Sequence, residues 1–257
     1  MSNIALITGA SSGIGAEFAR YHASKGGDVI LVARREEALN LLKAELEESS
    51  KISAHVHAAD LGAAGAADQL YETVKTAGQQ VNILINNAGF GGHGVHTERD
   101  LAEEMAMIDL NVKALVTLTY LFAKDMAARG GGKILNVGST AGFMPGPLQS
   151  VYFATKAFVN SYSQAVDQEL KSKGVSCSVL APGYVETEFA QVASLEGTDL
   201  VKKGATAKEV AQFGYDAMMR GQLVSINDKQ LSFLMNWMIP LLPRRTVLKM
   251  VNKMQAK

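Results

Sequence analysis

Seven short apolar runs separated by longer segments of helical period restrict this chain more than any other feature. The runs are Ile4–Thr8, Asp28–Ala33, Ser53–Ala58, Val81–Asn86, Gly132–Ser139, Val175–Ala181 and Leu223–Ile226. Several are continuously apolar rather than alternating, as strands covered on both faces should be. Between them, Leu39, Leu42 and Leu46 mark one helical stripe, and Leu101, Met105 and Ile108 begin a second. A third helical segment, from Gln149 to about Lys173, carries Tyr152, Lys156 and Val159 on one face. Strands alternating with helices imply βαβ units. Right-handed crossovers then give an α/β fold with a doubly wound, seven-stranded parallel sheet in a three-layer sandwich. No repeat, low-complexity tract or linker interrupts the pattern, so one domain is expected over all 257 residues.

Charge and targeting narrow the class. Twenty-five basic residues balance 25 acidic ones, which removes the basic footprint of a nucleic-acid binder. The single cysteine, Cys177, forms no internal disulfide and fits a reducing, cytoplasmic setting. The start Asn3–Thr8 is too short for a secretory apolar run. Leu231–Leu242 is broken by Asn236 and Pro240 and falls short of a span, so no transmembrane helix is expected.

The first strand ends in Thr8-Gly9-Ala10-Ser11-Ser12-Gly13-Ile14-Gly15, followed by a helical pattern. Glycines there allow a tight turn and close approach of backbone to a ligand, and the helix start offers free N–H groups to a pyrophosphate. No Gly-Lys-Ser/Thr follows, which excludes a Walker loop, and the spacing G-x-x-x-G-x-G differs from G-x-G-x-x-G. A dinucleotide site specific for NAD would place an acid at the end of the second strand. This chain has Arg34 and Arg35 there, with Glu36 and Glu37 only afterwards. Two guanidiniums suit the 2′-phosphate of NADP, with Ser11 adding a hydroxyl. The competing reading is that both arginines pair with nearby glutamates on the surface.

Tyr152 and Lys156 stand four apart on the third helix and share a face. A lysine beside a phenol favours the phenolate and should lower its pKa towards a working pH. Ser139, at the end of a predicted strand, adds a hydroxyl at the edge where α/β folds bind ligands. Gly138-Ser139-Thr140-Ala141-Gly142 is not a nucleophile elbow, which argues against a serine hydrolase.

Together these residues resemble the short-chain dehydrogenase/reductase family over residues 3 to about 190. Thr8–Gly15 is similar to its cofactor turn, and Asn86-Asn87-Ala88-Gly89 to its motif after the fourth strand. Asn111, Ser139, Tyr152 and Lys156 match its catalytic tetrad. Pro182, Gly183, Val185 and Thr187 match the segment that holds the nicotinamide amide, and Asp60 with Leu61 the part reaching the adenine. The resemblance implies a Rossmann-type fold binding NADP(H) through Gly9, Ser11, Ser12, Gly13, Ile14, Gly15, Arg34, Arg35, Asp60, Leu61, Asn87, Ala88 and Gly89. It further implies that Tyr152 is the proton donor or acceptor, that Ser139 orients the carbonyl oxygen, that Lys156 binds the nicotinamide ribose and tunes Tyr152, and that Asn111 anchors a proton-relaying water. The expected reaction is hydride transfer between a carbonyl and an alcohol.

Two features depart from the family pattern. Thr155 stands where serine is more usual beside the lysine, and no Asp-Gly-Gly turn follows Ile226. Instead a helical extension occupies about 228–257, resembling tails of reductases for lipid- or steroid-like substrates. A lid is expected over Glu186–Thr206, with Phe189, Val192 and Leu195 as its apolar inner face and Gly197 as a hinge. Phe90, His93, His96, Phe143, Met144 and Leu148 are expected to border a pocket for a hydrophobic carbonyl compound. The histidine pairs His55/His57 and His93/His96 lack a third ligand, so no metal is expected. In the last stretch, Val247, Leu248, Val251 and Met254 share a face, with Arg244, Arg245, Lys249 and Lys253 largely elsewhere. That stripe packs on the protein or a partner, or lies on a membrane surface. The apolar helix from Leu101 to Met126, beside the Tyr152 helix, points to a homodimer or higher homo-oligomer. Against the enzyme stands a non-catalytic NADP-binding sensor or scaffold, which would have no need to keep the tetrad together.

Overall fold

The computed structural model describes residues 3–201 and 204–256; Lys202 and Lys203 of the expected lid, and Lys257, lie outside them. The strands are β1 (Ile4–Thr8), β2 (Asp28–Ala33), β3 (Ala54–Ala58), β4 (Val81–Asn86), β5 (Gly132–Val137), β6 (Val175–Leu180), β7 (Val185–Glu186), β8 (Ala205–Thr206) and β9 (Val224–Ser225). Seven of them form one parallel sheet in the order β3-β2-β1-β4-β5-β6-β9. Each expected run became a strand, the third and the fifth to seventh trimmed at their ends. Ser139 therefore sits beyond β5, where it caps a short 3₁₀ turn, Thr140–Phe143, by accepting from the Ala141 N–H at 3.1 Å. The pair β7-β8 was not foreseen; two-residue strands leave no periodicity to read.

The principal helices are α1 (Gly13–Ser24), α2 (Glu36–Ser50), α3 (Ala66–Thr76), α4 (Leu101–Ile108), α5 (Leu115–Ala128), α6 (Ser150–Leu170), α7 (Phe189–Val192), α8 (Ala207–Met219), α9 (Lys229–Phe233) and α10 (Arg244–Gln255). Local chemistry marks several starts. Asp100 and Asp228 accept N–H bonds at the starts of α4 and α9, and Thr206 with Glu209 forms a capping box at α8. One apolar layer joins β1 and β2 to α1, α2 and α8 through Ile7, Leu31, Phe18, Leu39, Leu46 and Met218. The opposite layer joins the sheet to α3 and α5 through Leu6, Leu84, Val74, Leu118, Phe122 and Met126.

The helical stretch Leu101–Ala128 is apolar on more than one side. By length and composition alone it would pass for a membrane-crossing helix. Its inner residues Leu118, Phe122 and Met126 are instead buried in the sheet layer. The stripe begun by Leu101 and Met105 faces outward, both residues being exposed, while Met107 and Glu104 turn inward. Between α4 and α5 the chain widens into a π turn, Asp109–Ala114, which carries Asn111.

A buried polar chain runs between the layers. The Asn86 amide donates to Thr119 Oγ1 at 3.0 Å and to Asn136 Oδ1 at 2.9 Å, and Asn136 donates to Ser163 Oγ at 2.8 Å. Separately, His22 is fully buried, with Nε2 donating to the Asn3 carbonyl at 2.9 Å and Nδ1 paired with the Tyr215 hydroxyl at 2.8 Å. Those partners assign the neutral tautomer. Burial holds its pKa below the ordinary 6.5. The unfolded chain therefore takes up a proton that the folded one resists, and stability falls as pH drops below about 6.5. Thermal melts from pH 7.5 to 5.5 should show this loss, and His22→Gln should flatten the profile while lowering stability by about 1–3 kcal/mol at neutral pH. An unchanged profile in the variant would assign the acid sensitivity elsewhere.

Candidate active site

The order β3-β2-β1-β4-β5-β6 reverses its winding between β1 and β4, so the loops at their carboxyl ends part into a crevice. Thr8 and Asn87 hold that crevice in shape. Thr8 Oγ1 accepts from the N–H groups of Asn87 and Ala88, each at 3.0 Å. The Asn87 amide donates back to the carbonyls of Thr8 at 3.0 Å and Gly9 at 3.3 Å. Gly9 and Gly13 have φ of +66° and +55°, which L side chains rarely adopt. A Cβ on Gly15 would stand 2.2 Å from the Gly9 carbonyl oxygen. The turn thus brings bare backbone and the start of α1, which no side chain caps, to the crevice.

One cavity of about 650 Å³ occupies the crevice and continues across the sheet edge. Its lining includes every expected cofactor residue except Gly15: Gly9, Ser11, Ser12, Gly13, Ile14, Arg34, Arg35, Asp60, Leu61, Asn87, Ala88, Gly89, Pro182, Gly183, Val185 and Thr187. Gly15 acts in packing, by letting α1 approach Gly9. The glycine cradle and helix start suit a dinucleotide pyrophosphate.

Ser139, Tyr152 and Lys156 line the same cavity, all buried. Lys156 Nζ donates to the Val137 carbonyl at 2.8 Å and lies 5.8 Å from the Tyr152 ring centre. Burial lowers its pKa to about 8. The Tyr152 phenol is pushed up to about 12 by burial, with the Ser139 hydroxyl pulling the other way. This corrects the expectation of a phenol lowered by its lysine: desolvation is the larger effect here, and Tyr152 holds its proton at neutral pH. Asn111 is buried behind the cavity wall. Its amide donates to the Phe90 carbonyl at 2.9 Å and to Thr155 Oγ1 at 3.2 Å, and its oxygen accepts from the Phe90 N–H at 3.1 Å. Thr155 donates to the Tyr152 carbonyl at 2.8 Å, so the unusual threonine links Asn111 to the Tyr152 turn.

Arg35 reaches a glutamate, though not Glu36 or Glu37. Its Nη2 lies 3.0 Å from Glu188 Oε2, which also accepts from Ser12 Oγ at 3.1 Å, while Arg35 Nε donates to Ser11 Oγ at 3.3 Å. Glu188 was not among the residues singled out, and 153 residues of chain separate it from Arg35.

The apolar end of the cavity differs in part from expectation. Phe90, Met144, Phe189, Val192 and Leu195 line it, though Val192 is largely exposed at the rim. Phe189 packs on the Tyr152 ring with centres 5.4 Å apart. His93 does not line it; its Nε2 donates to the Gln255 carbonyl at 2.8 Å and ties down the end of α10. His96 is exposed in a turn, and Phe143 and Leu148 stand outside the lining. The wall that sequence reasoning missed comes from the tail: Leu231, Leu234, Met235, Ile239, Met250 and Met254.

The chain belongs to the short chain dehydrogenase family, whose pattern matches residues 3–196. It is therefore an oxidoreductase that uses a nicotinamide cofactor. It is 39% identical over 194 residues to sulfoacetaldehyde reductase 2 of Chromohalobacter salexigens, covering 75% of this chain and 76% of that one. It is 28% identical over 256 residues to the very-long-chain 3-oxoacyl-CoA reductase of Macaca fascicularis, covering 97% and 78%. A solved short-chain dehydrogenase from Sphingobium yanoikuyae in complex with NADPH superposes with a TM-score of 0.84, at 32% identity over 90% of each chain.

Gly15→Ala tests the cradle. Its new Cβ meets the Gly9 carbonyl and, at 2.6 Å, the Asn87 amide, so the turn must shift. Nicotinamide cofactor affinity, followed by titration calorimetry, should fall by roughly tenfold or more, a loss of about 1.4 kcal/mol. Unchanged affinity would show that the turn's geometry is not what binds.

Proposed function

We propose that this protein is an NADP(H)-dependent reductase of a hydrophobic ketone or aldehyde, of lipid-, acyl- or steroid-like character. The observation that carries the reading is a single cavity in which buried Ser139, Tyr152 and Lys156 stand between the glycine cradle and an apolar wall. When bound, the nicotinamide supplies the hydride. Tyr152 donates the proton to the carbonyl oxygen, and its high pKa keeps that proton available at neutral pH. Ser139 hydrogen-bonds the same oxygen and orients the substrate. Lys156, buried beside the phenol, holds the nicotinamide ribose. Asn111 acts by fixing the Phe90 backbone and, through Thr155, the Tyr152 turn.

NADP is favoured by the end of β2, where Arg34 and Arg35 line the cavity with no acid in the usual position. Arg35 already holds an anion, the carboxylate of Glu188, and lies against Ser11 Oγ, the hydroxyl that the 2′-phosphate reading pairs with it. The apolar substrate class rests on the wall of Phe90, Met144, Phe189, Leu231, Met235 and Ile239. Among the described residues the cavity's basic groups are Arg34 and Arg35 at the cofactor end and Lys156 on the Val137 carbonyl. A small sulfonate finds less there than an acyl chain does. The exposed Leu101, Met105, Tyr120 and Phe158 of α4, α5 and α6 mark the face on which a homodimer is proposed, with sedimentation mass as its check.

NADPH consumption across carbonyl compounds from small and polar to long-chain and steroidal should rise towards the apolar end. Tyr152→Phe should lower turnover by roughly 10²–10⁴-fold while cofactor binding persists. Arg35→Ala should weaken NADPH by about tenfold or more and leave NADH nearly unchanged. Activity confined to small anionic aldehydes would overturn the substrate class, and equal losses for both cofactors would overturn the NADP assignment.

A further inference from the structure

The chain is neutral as a whole, but its charge is unevenly placed. From Lys229 to the C-terminus there are 6 basic residues and no acidic one, leaving 19 basic against 25 acidic in the rest. The first part of that tail is a continuous helical run from α9 through Leu241. Leu231, Leu234, Met235 and Ile239 face the cavity. The other side presents Phe233, Trp237 and Leu241 to solvent at 60%, 67% and 82% exposure, with Met238 at 45% beside them. Lys229 stands one turn before Phe233, and Arg244 and Arg245 follow Leu241 within four residues. Along α10, Val247, Val251 and Gln255 are buried, while Arg245, Lys249 and Lys253 follow one another at four-residue spacing on the exposed side. Val247 and Val251 of the α10 apolar face are thus used inside the protein, while Leu248 and Met254 stay partly exposed; the run before it supplies the more exposed apolar face.

We propose that Phe233, Trp237 and Leu241, with the flanking lysines and arginines, dock this enzyme on the surface of an anionic lipid bilayer. Exposed tryptophan, phenylalanine and leucine, on a segment whose own charged residues are all basic, are the composition that partitions into a headgroup region. Net positive charge over one segment of a neutral protein orients that segment towards an anionic surface. A second copy fits less well, because a two-fold contact sets the basic segment against itself. Docking leaves the fold intact, since the residues involved are outside the core. It goes beyond the reading of the catalytic site and does not depend on which carbonyl compound is reduced.

Trp237 is the only tryptophan in the chain, so selectively excited tryptophan emission reports on this face alone. The full-length protein is mixed with vesicles of phosphatidylcholine containing about 30% phosphatidylglycerol, and with vesicles of phosphatidylcholine only. Emission should shift to shorter wavelength and the protein should sediment with the anionic vesicles, with much weaker binding to the neutral ones. The triple variant Arg245→Glu/Lys249→Glu/Lys253→Glu should reduce binding by about tenfold or more, as should Phe233→Ser/Leu241→Ser. Melting temperature and turnover of a soluble ketone should stay unchanged in the charge-reversal variant. Absence of sedimentation, equal binding to neutral vesicles, or a spectral shift that tracks protein concentration without vesicles would each overturn the proposal, the last in favour of self-association.

Discussion

Everything the site does depends on how the ends of β1 and β4 are held. They are adjacent strands whose following loops part in opposite directions, and nothing in the sheet ladder itself fixes the gap between those loops. The Thr8 hydroxyl does so by taking two backbone N–H groups of the Asn87-Ala88 turn, and the Asn87 amide returns the contact to the Gly9 carbonyl. These groups are largely out of water, so leaving one unmatched is costly and the pairing keeps a single geometry. The glycine turn can then be tight because Asn87, rather than a side chain of the turn, fills its inner side. A second buried pairing, Asn86 with Asn136, secures β4 to β5 just below and so ties the cofactor half to the strand leading to Ser139.

Burial sets the electrostatics of Tyr152 and Lys156 more than charge does. A tyrosine and a lysine four apart on a helix invite the argument that the ammonium lowers the phenol. In the fold both lie inside, and removal from water favours the neutral form of each: the phenol rises to about 12 and the lysine falls to about 8. The Val137 carbonyl takes a lysine hydrogen bond, so backbone orients the cation, 5.8 Å from the Tyr152 ring centre. A protonated tyrosine beside a serine hydroxyl is a hydrogen-bond donor set, which suits the reductive direction.

Much of this arrangement was legible because it is local. The strands follow from continuous apolar runs, the glycine turn from its own residues, and the shared face of Tyr152 and Lys156 from a four-residue spacing. What escaped is what folding brings together over distance or what burial decides. Glu188 meets Ser12 across 176 residues, and no local pattern announces that pairing. The stripe of Leu101 and Met105 proves to face solvent, and an apolar helix with hydrophobic residues all round does not declare which side meets the sheet. His93 sits in a loop near the pocket in sequence, yet its ring nitrogen closes on the end of α10.

The tail shows what composition alone leaves open. A twelve-residue apolar run with a proline is too short to span a bilayer, and at the sequence level only the basic stripe after it is a candidate for a membrane surface. In the fold the run has two apolar sides. Leu234, Met235 and Ile239 complete the cavity, and a side chain used there is no longer available to a partner. Phe233, Trp237 and Leu241 are left over, exposed, on a segment whose charge is wholly positive. An enzyme wall needs only its inner side to be apolar, and lysine or glutamine on the outer side would serve solubility better. Large apolar residues kept on that outer side, beside cations and without acids, therefore call for a contact of their own. The same helical run then connects the proposed bilayer contact to the wall of the substrate cavity.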